Sequence, residues 1–334
     1  KTLKDFNFEN YVHEILYATA RDGESIPYQL VRPKNMDANK YQPIAKKMAE
    51  AGVPIAAELI WGLPGDNLAD FEANLDTLLA TFPSINIFGY TLLPGTEFYE
   101  RRDEYQIDAI PVAGYGKAKG EYVVGCHTFD RQEGIEGYFL ITAHILLIHG
   151  HIMPLTTRFL AMEDGIPATP LLRQVLARLV AHFSSELAGL DGSDKMNLYE
   201  QRARLYLAFL AKPGVTFDLI RQALQDWLTL HHSDRGLAEQ ALSILALDQA
   251  CCPVEGEVRT TRHTFNVNAT AINKKLEALE LPAASDFAST THTLTVRLPG
   301  GVGTVLKDPN GGSWMRGEII ANEQQAIIAS VHVP

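Results

Sequence analysis

The side chains best suited to catalysis or metal binding in this sequence are a Cys-His pair and three further histidines. Cys126 and His127 could supply a proton donor or a metal ligand. Adjacent residues of an extended strand point to opposite faces, however, which argues against a site that both residues share. His144 and His151 would lie two turns apart on one helical face, too far to hold one ion together. We therefore predict no metal site in this chain and interpret these two residues and His149 as polar edges of a packed helix.

A glycine-rich turn is a second feature that could bring a ligand close to the backbone. Gly62-Leu63-Pro64-Gly65 follows the apolar run 53–61. Glycine permits close approach and unusual dihedral angles, and ligands of parallel α/β folds sit at the carboxyl ends of strands. The alternative is a turn with a structural role alone, because Gly and Pro commonly mark turns.

The pattern around this turn predicts α/β structure. Helical spacing of apolar residues follows Asp66 and Asn67, either of which could cap the helix. The predicted strands are 11–20, 53–61 and 85–90, and the predicted helices between them are 43–51 and 68–82. This order favours parallel pairing with right-handed crossovers, so residues 55–61 should pair with both 16–19 and 85–90. The pattern of apolar residues over 130–248 predicts helices. Strands are predicted at 258–267, 291–298, 319–320 and 326–333.

The composition excludes several classes of protein. The chain has 334 residues, a formal net charge of −11 and no dense run of Lys or Arg, so a nucleic-acid partner is not expected. Three cysteines, two of them adjacent at Cys251-Cys252, cannot build a disulfide framework and fit a reducing cytoplasm. The most apolar stretch, 137–152, is too short for a membrane span and predicts a buried helix. We expect a cytoplasmic protein with a small-molecule or peptide substrate and no membrane partner.

Three segments in fixed order resemble the back half of the barrel of radical S-adenosylmethionine (SAM) enzymes. They are Tyr28-Gln-Leu-Val-Arg-Pro-Lys-Asn35, Glu58-Leu-Ile-Trp-Gly-Leu-Pro-Gly65 and Gly89-Tyr-Thr-Leu-Leu-Pro-Gly-Thr96. The likeness is greatest to the branch that carries a cobalamin-binding domain before the barrel. It implies a partial, TIM-like (β/α) barrel at 1–112, a segment over the barrel mouth at 113–130, a helical domain at 131–252 and a small β-rich α+β module at 253–334.

The resemblance also implies residues for a SAM site. Arg32 matches the position that binds the methionine carboxylate, and a guanidinium suits that role because it forms two parallel hydrogen bonds. Glu58 matches the acidic residue at the ribose, with Thr19 as the nearest polar candidate for a second ribose contact. The resemblance further implies contacts to SAM from Gly62, Pro64, Tyr90 and Leu92. Cys126 or His127 would face the substrate.

The function implied is cleavage of SAM by a four-iron, four-sulfur (4Fe-4S) cluster to a 5′-deoxyadenosyl radical, which functionalises an unactivated carbon, often with methylation from cobalamin. The family binds its cluster through C-x3-C-x2-C, a spacing that this chain lacks. The cluster ligands and the cobalamin-binding domain are therefore expected in a region before Lys1, and this chain alone is expected to be inactive. Two alternatives remain: a radical SAM branch without cobalamin, and a non-catalytic scaffold without a cluster.

Overall fold

The computed structural model describes residues 11–19, 25–33, 43, 47, 56–112, 120–163, 166–231, 235–298, 300–301 and 318–321. It combines helices and strands, as the sequence predicts for an α/β protein, and it divides into two compact units, Lys1–Ile44 and Ala45–Pro334. The predicted boundaries at 112, 130 and 252 lie inside the second unit.

The first unit contains an antiparallel hairpin. Strand β1 (Tyr11–Thr19) pairs with β2 (Ser25–Pro33), from Tyr11 opposite Pro33 to Thr19 opposite Ser25. The prediction that residues 16–19 pair in parallel with the strand before Gly62 was wrong: among the described residues, β1 pairs with β2 alone. The short segment between β1 and β2 suits a hairpin, whereas parallel strands need a crossover of a dozen or more residues. The predicted helix 43–51 lies outside the described residues except for Pro43 and Lys47, which are helical.

The second unit begins with the parallel strand pair that the sequence predicts. Strand β3 (Ala57–Trp61) leads through helix α1 (Leu68–Thr81) to β4 (Ile85–Gly89), and the strands pair in parallel from Ala57 opposite Ile85 to Trp61 opposite Gly89. Asn67 is the N-cap of α1, because its side chain accepts the N–H of Asp70 at 2.8 Å. The apolar residues of α1 face the core, as their spacing predicts.

A second, antiparallel sheet follows and was not predicted. Its strands are β5 (Thr91–Leu92), β6 (Asp108–Pro111) and β7 (Glu121–Gly125), in the spatial order β5-β7-β6. The short helix α2 (Glu97–Glu100) lies between β5 and β6 in the chain. Because β5 begins two residues after β4 ends, this sheet lies beside the carboxyl ends of the parallel strands.

The predicted helical region is confirmed. Its helices are α3 (Arg131–His144), α4 (Pro154–Met162), α5 (Ala168–Phe183), α6 (Lys195–Glu200), α7 (Arg202–Ala211), α8 (Pro213–His231) and α9 (Arg235–Cys251). A π-helical turn, Ile145–His149, continues α3, and a 3₁₀ turn, Ser184–Glu186, follows α5. The fully buried carboxylate of Asp248 accepts the N–H groups of Leu155 and Thr156 and so holds the start of α4.

The last elements form a small α+β arrangement, again as predicted. They are β8 (Arg259–Phe265), α10 (Ala269–Glu277), the 3₁₀ turn Ala284–Phe287, β9 (His292–Leu298) and β10 (Glu318–Ala321). The three strands are antiparallel, with β9 in the middle. The predicted strand 326–333 lies outside the described residues. One continuous core runs from Trp61 to Ile319, so these elements are packed together with the helices and the parallel strands.

Part of the helical region is strongly apolar. No single helix among the described residues has the length and hydropathy to cross a membrane. The consecutive helical segments Arg131–His149 and Pro154–Met162 satisfy those criteria jointly, but they meet at a bend of 112°.

Candidate site at the carboxyl ends of the parallel strands

The turn after β3 is held in shape by one carboxylate. Gly62 and Gly65 have φ angles of 103° and 108°, which side-chain-bearing residues rarely adopt. The carboxylate of Asp66 accepts the N–H of Gly62 at 3.0 Å and that of Leu63 at 2.9 Å. A Cβ atom at Gly62 would lie 3.2 Å from the carbonyl oxygen of Val123, so this glycine also allows β7 to approach closely. Asp66 is therefore the turn's internal acceptor, and Asn67 alone caps α1.

The segment after β7 lies against this turn. Gly65 donates its N–H to the hydroxyl of Thr128 at 3.1 Å, and the Cys126 sulfur lies 3.2 Å from the same hydroxyl oxygen. Cys126 is half-buried, while His127 is exposed and its Nδ1 lies 3.2 Å from the carbonyl oxygen of Tyr105. The structure thus places Cys126 beside the glycine-rich turn and directs the His127 ring toward a different neighbour.

Aromatic rings connect His127 to the end of β4. Tyr90 and Phe98 have ring centroids 5.9 Å apart, Phe98 and Tyr105 are 5.1 Å apart, and Tyr105 and His127 are 5.8 Å apart. The guanidinium of Arg101 lies 5.0 Å from the centroid of the Tyr105 ring, within the range of a cation–π contact. Sequence reasoning missed this aromatic row, because its members come from three separate segments. The seven-residue spacing of Phe98 and Tyr105 was the available signal.

The parallel strands carry a mixed polar and apolar face. Residues opposite each other in a parallel pair share a face, and Glu58 lies opposite Asn86 while Ile60 lies opposite Phe88. Glu58 is exposed and Phe88 is 50% exposed. The alternate residues Ile85, Ile87 and Trp61 are buried in the core. We call the first four residues the open face of the β3–β4 pair.

Helix α3 closes the other side of these strands. The Trp61 indole donates to the carbonyl oxygen of Gly134 at 3.0 Å. A Cβ atom at Gly137 would lie 2.2 Å from atoms of the Trp61 ring, and one at Gly89 would lie 2.2 Å from the Tyr138 ring. The Tyr138 hydroxyl donates to the carbonyl oxygen of Tyr90 at 3.3 Å. Burial raises the pKa of Tyr138 well above its ordinary value, so this phenol stays neutral and remains a donor.

Two of the residues predicted to contact SAM, Tyr90 and Leu92, are engaged within the protein. The amide of Tyr90 donates to Trp61 at 2.7 Å and its carbonyl oxygen accepts from Val123 at 3.3 Å, so both backbone groups are already engaged. Leu92 is fully buried and belongs to the core. Pro64 is half-buried in the turn. Gly62 directly follows the carboxyl end of β3, whereas Glu58 is the second residue of that strand and lies on its open face.

Thr19 and Arg32 belong to the hairpin of the first unit. Thr19 is the last residue of β1, and Arg32 lies opposite Val12, seven residues earlier on that strand. At roughly 3.4 Å per residue, the two backbone positions are about 24 Å apart along the hairpin. The prediction that both contact the same SAM molecule stays a prediction, and it requires the ligand and the Arg32 side chain to span this distance.

The cysteines do not gather into a ligand set. Cys251 and Cys252 are buried at the end of α9, and Cys126 lies at the end of β7. Across the described parts of the chain, no group of three His, Cys, Asp or Glu side chains is arranged to hold a metal ion. The described residues therefore do not fit a 4Fe-4S cluster.

Comparison of the sequence with models of protein families finds no match, and comparison with curated proteins finds no matching relative.

Proposed function

We propose that this chain contributes the later strands of a radical SAM barrel, within an enzyme that uses cobalamin to functionalise an unactivated carbon. The observation that carries the proposal is the β3–α1–β4 unit. Its first strand ends in a glycine-rich turn with two left-handed glycines, and Glu58 and Phe88 share its open face, two residues apart in register. The Leu93-Pro94-Gly95-Thr96 turn follows β5 of the antiparallel sheet, and Gly95 again has a positive φ angle of 84°. Ligands of parallel folds bind beyond the carboxyl ends of the strands, and the turn after β3 lies at such an end.

The open face fits parts of a SAM molecule. A carboxylate at Glu58 can accept hydrogen bonds from a ribose diol, and the half-exposed Phe88 ring offers an apolar surface to a planar base. The N–H groups of Gly62, Leu63 and Gly65 are engaged by Asp66 and Thr128, so the turn would shape the strand end and leave hydrogen bonding to side chains. In the enzyme class, the reduced cluster cleaves SAM to a 5′-deoxyadenosyl radical. This chain's part would be to orient SAM and to exclude water from it.

A direct test measures SAM binding to the complete protein, including any region before Lys1, by isothermal titration calorimetry. We expect Glu58→Ala to weaken binding by about tenfold, the factor for loss of one charged hydrogen bond at an exposed position. The exposed Glu200, at the end of α6, gives a matched control, and Glu200→Ala should bind SAM as the unaltered protein does. Equal affinities for all three proteins would remove Glu58 from the site.

The hairpin register sharpens the test of the other two predicted contacts. Because the backbones of Thr19 and Arg32 lie near opposite ends of the hairpin, at most one of them should touch SAM. If Arg32 binds the carboxylate, Arg32→Ala should cost about 1.5–3 kcal/mol of binding free energy and Thr19→Ala almost nothing. Losses of similar size in both variants would show that the hairpin register changes when SAM binds.

A scaffold without a cluster is the second candidate function. It is favoured by the lack of any three-ligand set among the described residues. Anaerobic reconstitution of the complete protein with iron and sulfide, followed by an assay for 5′-deoxyadenosine, separates the two. A cluster absorption band together with 5′-deoxyadenosine would support the enzyme. The absence of both would support the scaffold. Methylation that depends on added cobalamin would distinguish the cobalamin branch from the others.

A further inference from the structure

Two histidines meet in the core beside the amino end of β4, on the buried side of the strands. His144 is completely buried, and neither of its ring nitrogens has a hydrogen-bond partner. The His149 ring stands edge-on to it, with 4.9 Å between the ring centroids. His149 Nε2 contacts the carbonyl oxygen of Ile85, the first residue of β4. Because a carbonyl can only accept, the His149 proton lies on Nε2, and its Nδ1 is left as an acceptor.

The backbone around this pair is irregular. The helix changes from α to π between His144 and His149, and His151 has a φ angle of 54°. Single π turns inside α-helices occur frequently at functional sites, and a non-glycine residue in the left-handed region carries strain. The predicted helical face that joins His144 to His151 is therefore wrong, because the π turn and the break after His149 interrupt the helix.

A cavity of about 70 Å³ lies beside the pair. One water molecule needs roughly 10–15 Å³ on the same measure, so the cavity has room for about five waters or one small ring. Its wall is mostly apolar. The lining side chains that carry charge or titrate are His144, His149, His151, Arg158 and Glu277.

The charges in the wall balance. Arg158 donates to the carbonyl oxygens of Pro83 at 2.6 Å and of Leu276 at 3.1 Å, so both terminal nitrogens of its guanidinium are engaged. Glu277 supplies the opposite charge. An ion entering this cavity would lose its hydration without finding an unbalanced charge, which is costly in an apolar setting. An uncharged molecule avoids this cost.

We propose that the cavity is a binding site for a small, uncharged, ring-sized molecule that carries both a hydrogen-bond donor and an acceptor, recognised by the His144–His149 pair. A neutral imidazole offers one donor and one acceptor, and such a ligand would satisfy the His144 nitrogens that no protein group satisfies. The site is separate from the open face, because Ile85 and the helical segment that carries the two histidines lie on the buried side of the β3–β4 pair. Its test does not depend on SAM chemistry.

Pyrazole and thiophene are suitable probes. Both are five-membered aromatic rings, but pyrazole carries a donor next to an acceptor and thiophene has no N–H group. The probes are titrated at pH 8 by calorimetry, and the histidine ring nitrogens are followed by ¹⁵N NMR. We expect saturable pyrazole binding with a shift of the His144 ring signals, and about tenfold weaker binding of thiophene, the factor for one hydrogen bond.

His144→Leu should weaken pyrazole binding about tenfold and leave thiophene binding unchanged. His182→Leu is the matched control, because His182 is exposed near the end of α5, and it should leave both affinities unchanged. Equal affinity of the two rings for the unaltered protein, or the absence of saturable pyrazole binding, would overturn the proposal. Neither of these results requires the variant to fold.

Discussion

Burial of the histidine pair predicts a specific loss of stability in mild acid. Desolvation lowers the pKa of His144 well below its ordinary value, and the neighbouring His149 lowers it further. Desolvation also lowers the pKa of His149, although its hydrogen bond to Ile85 opposes that shift. Below pH ~6.5 the unfolded chain therefore binds more protons than the folded protein. Above that pH the two histidines are neutral in both states and do not change the free energy of unfolding. As the pH falls below it, the free energy of unfolding decreases.

The size of this loss follows from linkage. A histidine that stays neutral in the folded protein and is protonated in the unfolded chain costs up to about 1.4 kcal/mol for each pH unit below its unfolded pKa. For His144, which is fully buried, integration from pH 7 to pH 5 gives about 2 kcal/mol. His149 adds a smaller amount, because its shift is smaller.

Urea unfolding at pH 7 and pH 5 measures this contribution when the unaltered protein is compared with His144→Leu. The variant removes the titrating group and two unsatisfied nitrogens, so its stability at pH 7 should be similar or slightly higher. Its loss between pH 7 and pH 5 should be smaller by about 2 kcal/mol. The exposed His182→Leu control should keep the full pH dependence. Identical losses in the unaltered protein and His144→Leu would refute the assignment of a neutral, buried His144.

Three further outcomes can be measured on the same chain. Gly137→Ala should lower the free energy of unfolding by about 1–3 kcal/mol, because the new methyl group would overlap the Trp61 indole ring. Gly214→Ala adds its methyl group where no atom lies nearby and should be neutral or slightly stabilising. Equal urea midpoints for the two variants would contradict the close packing of α3. Asp248→Ala removes three hydrogen bonds at the start of α4 and should cost about 2–4 kcal/mol in the same assay, so a loss below about 0.5 kcal/mol would show that the start of α4 does not need this cap. A thiol reagent should modify Cys126 in the folded protein and reach Cys251 and Cys252 only after unfolding. Rapid modification of all three thiols in the folded protein would contradict the burial of Cys251 and Cys252.

Local patterns of the sequence were enough for most elements of the fold. Helical spacing from Leu68 to Leu79 and the polar residues before it predict α1 and its cap, because caps and apolar stripes depend on neighbours within one turn. The apolar runs on either side predict β3 and β4, and the helix between them requires their parallel pairing. The alternating residues near the end of the chain likewise predict β8 and β9.

Pairing between strands was less accessible to the same reasoning. A strand pattern states that β1 exists but not which strand it pairs with, and the hairpin with β2 replaced the expected parallel neighbour. The sequence also allowed either Asp66 or Asn67 as a cap, and the structure separated them by giving Asp66 the amides of the turn. Hydrogen bonds within the turn and the helix compete for the same side chains, and geometry decides the outcome.

The sequence by itself determined where the chain turns, which residues are apolar and where a strand could present Glu58. Tertiary structure decided which side chains meet. Phe98 joins Tyr90 and Tyr105 in the aromatic row, and His144 meets His149 beside a cavity, through contacts that depend on packing. Periodicity encodes the position of a residue on its own helix or strand, whereas contact across elements depends on how close their backbones come. Here glycines such as Gly137 allow that approach, and their role becomes evident once their partners are in place.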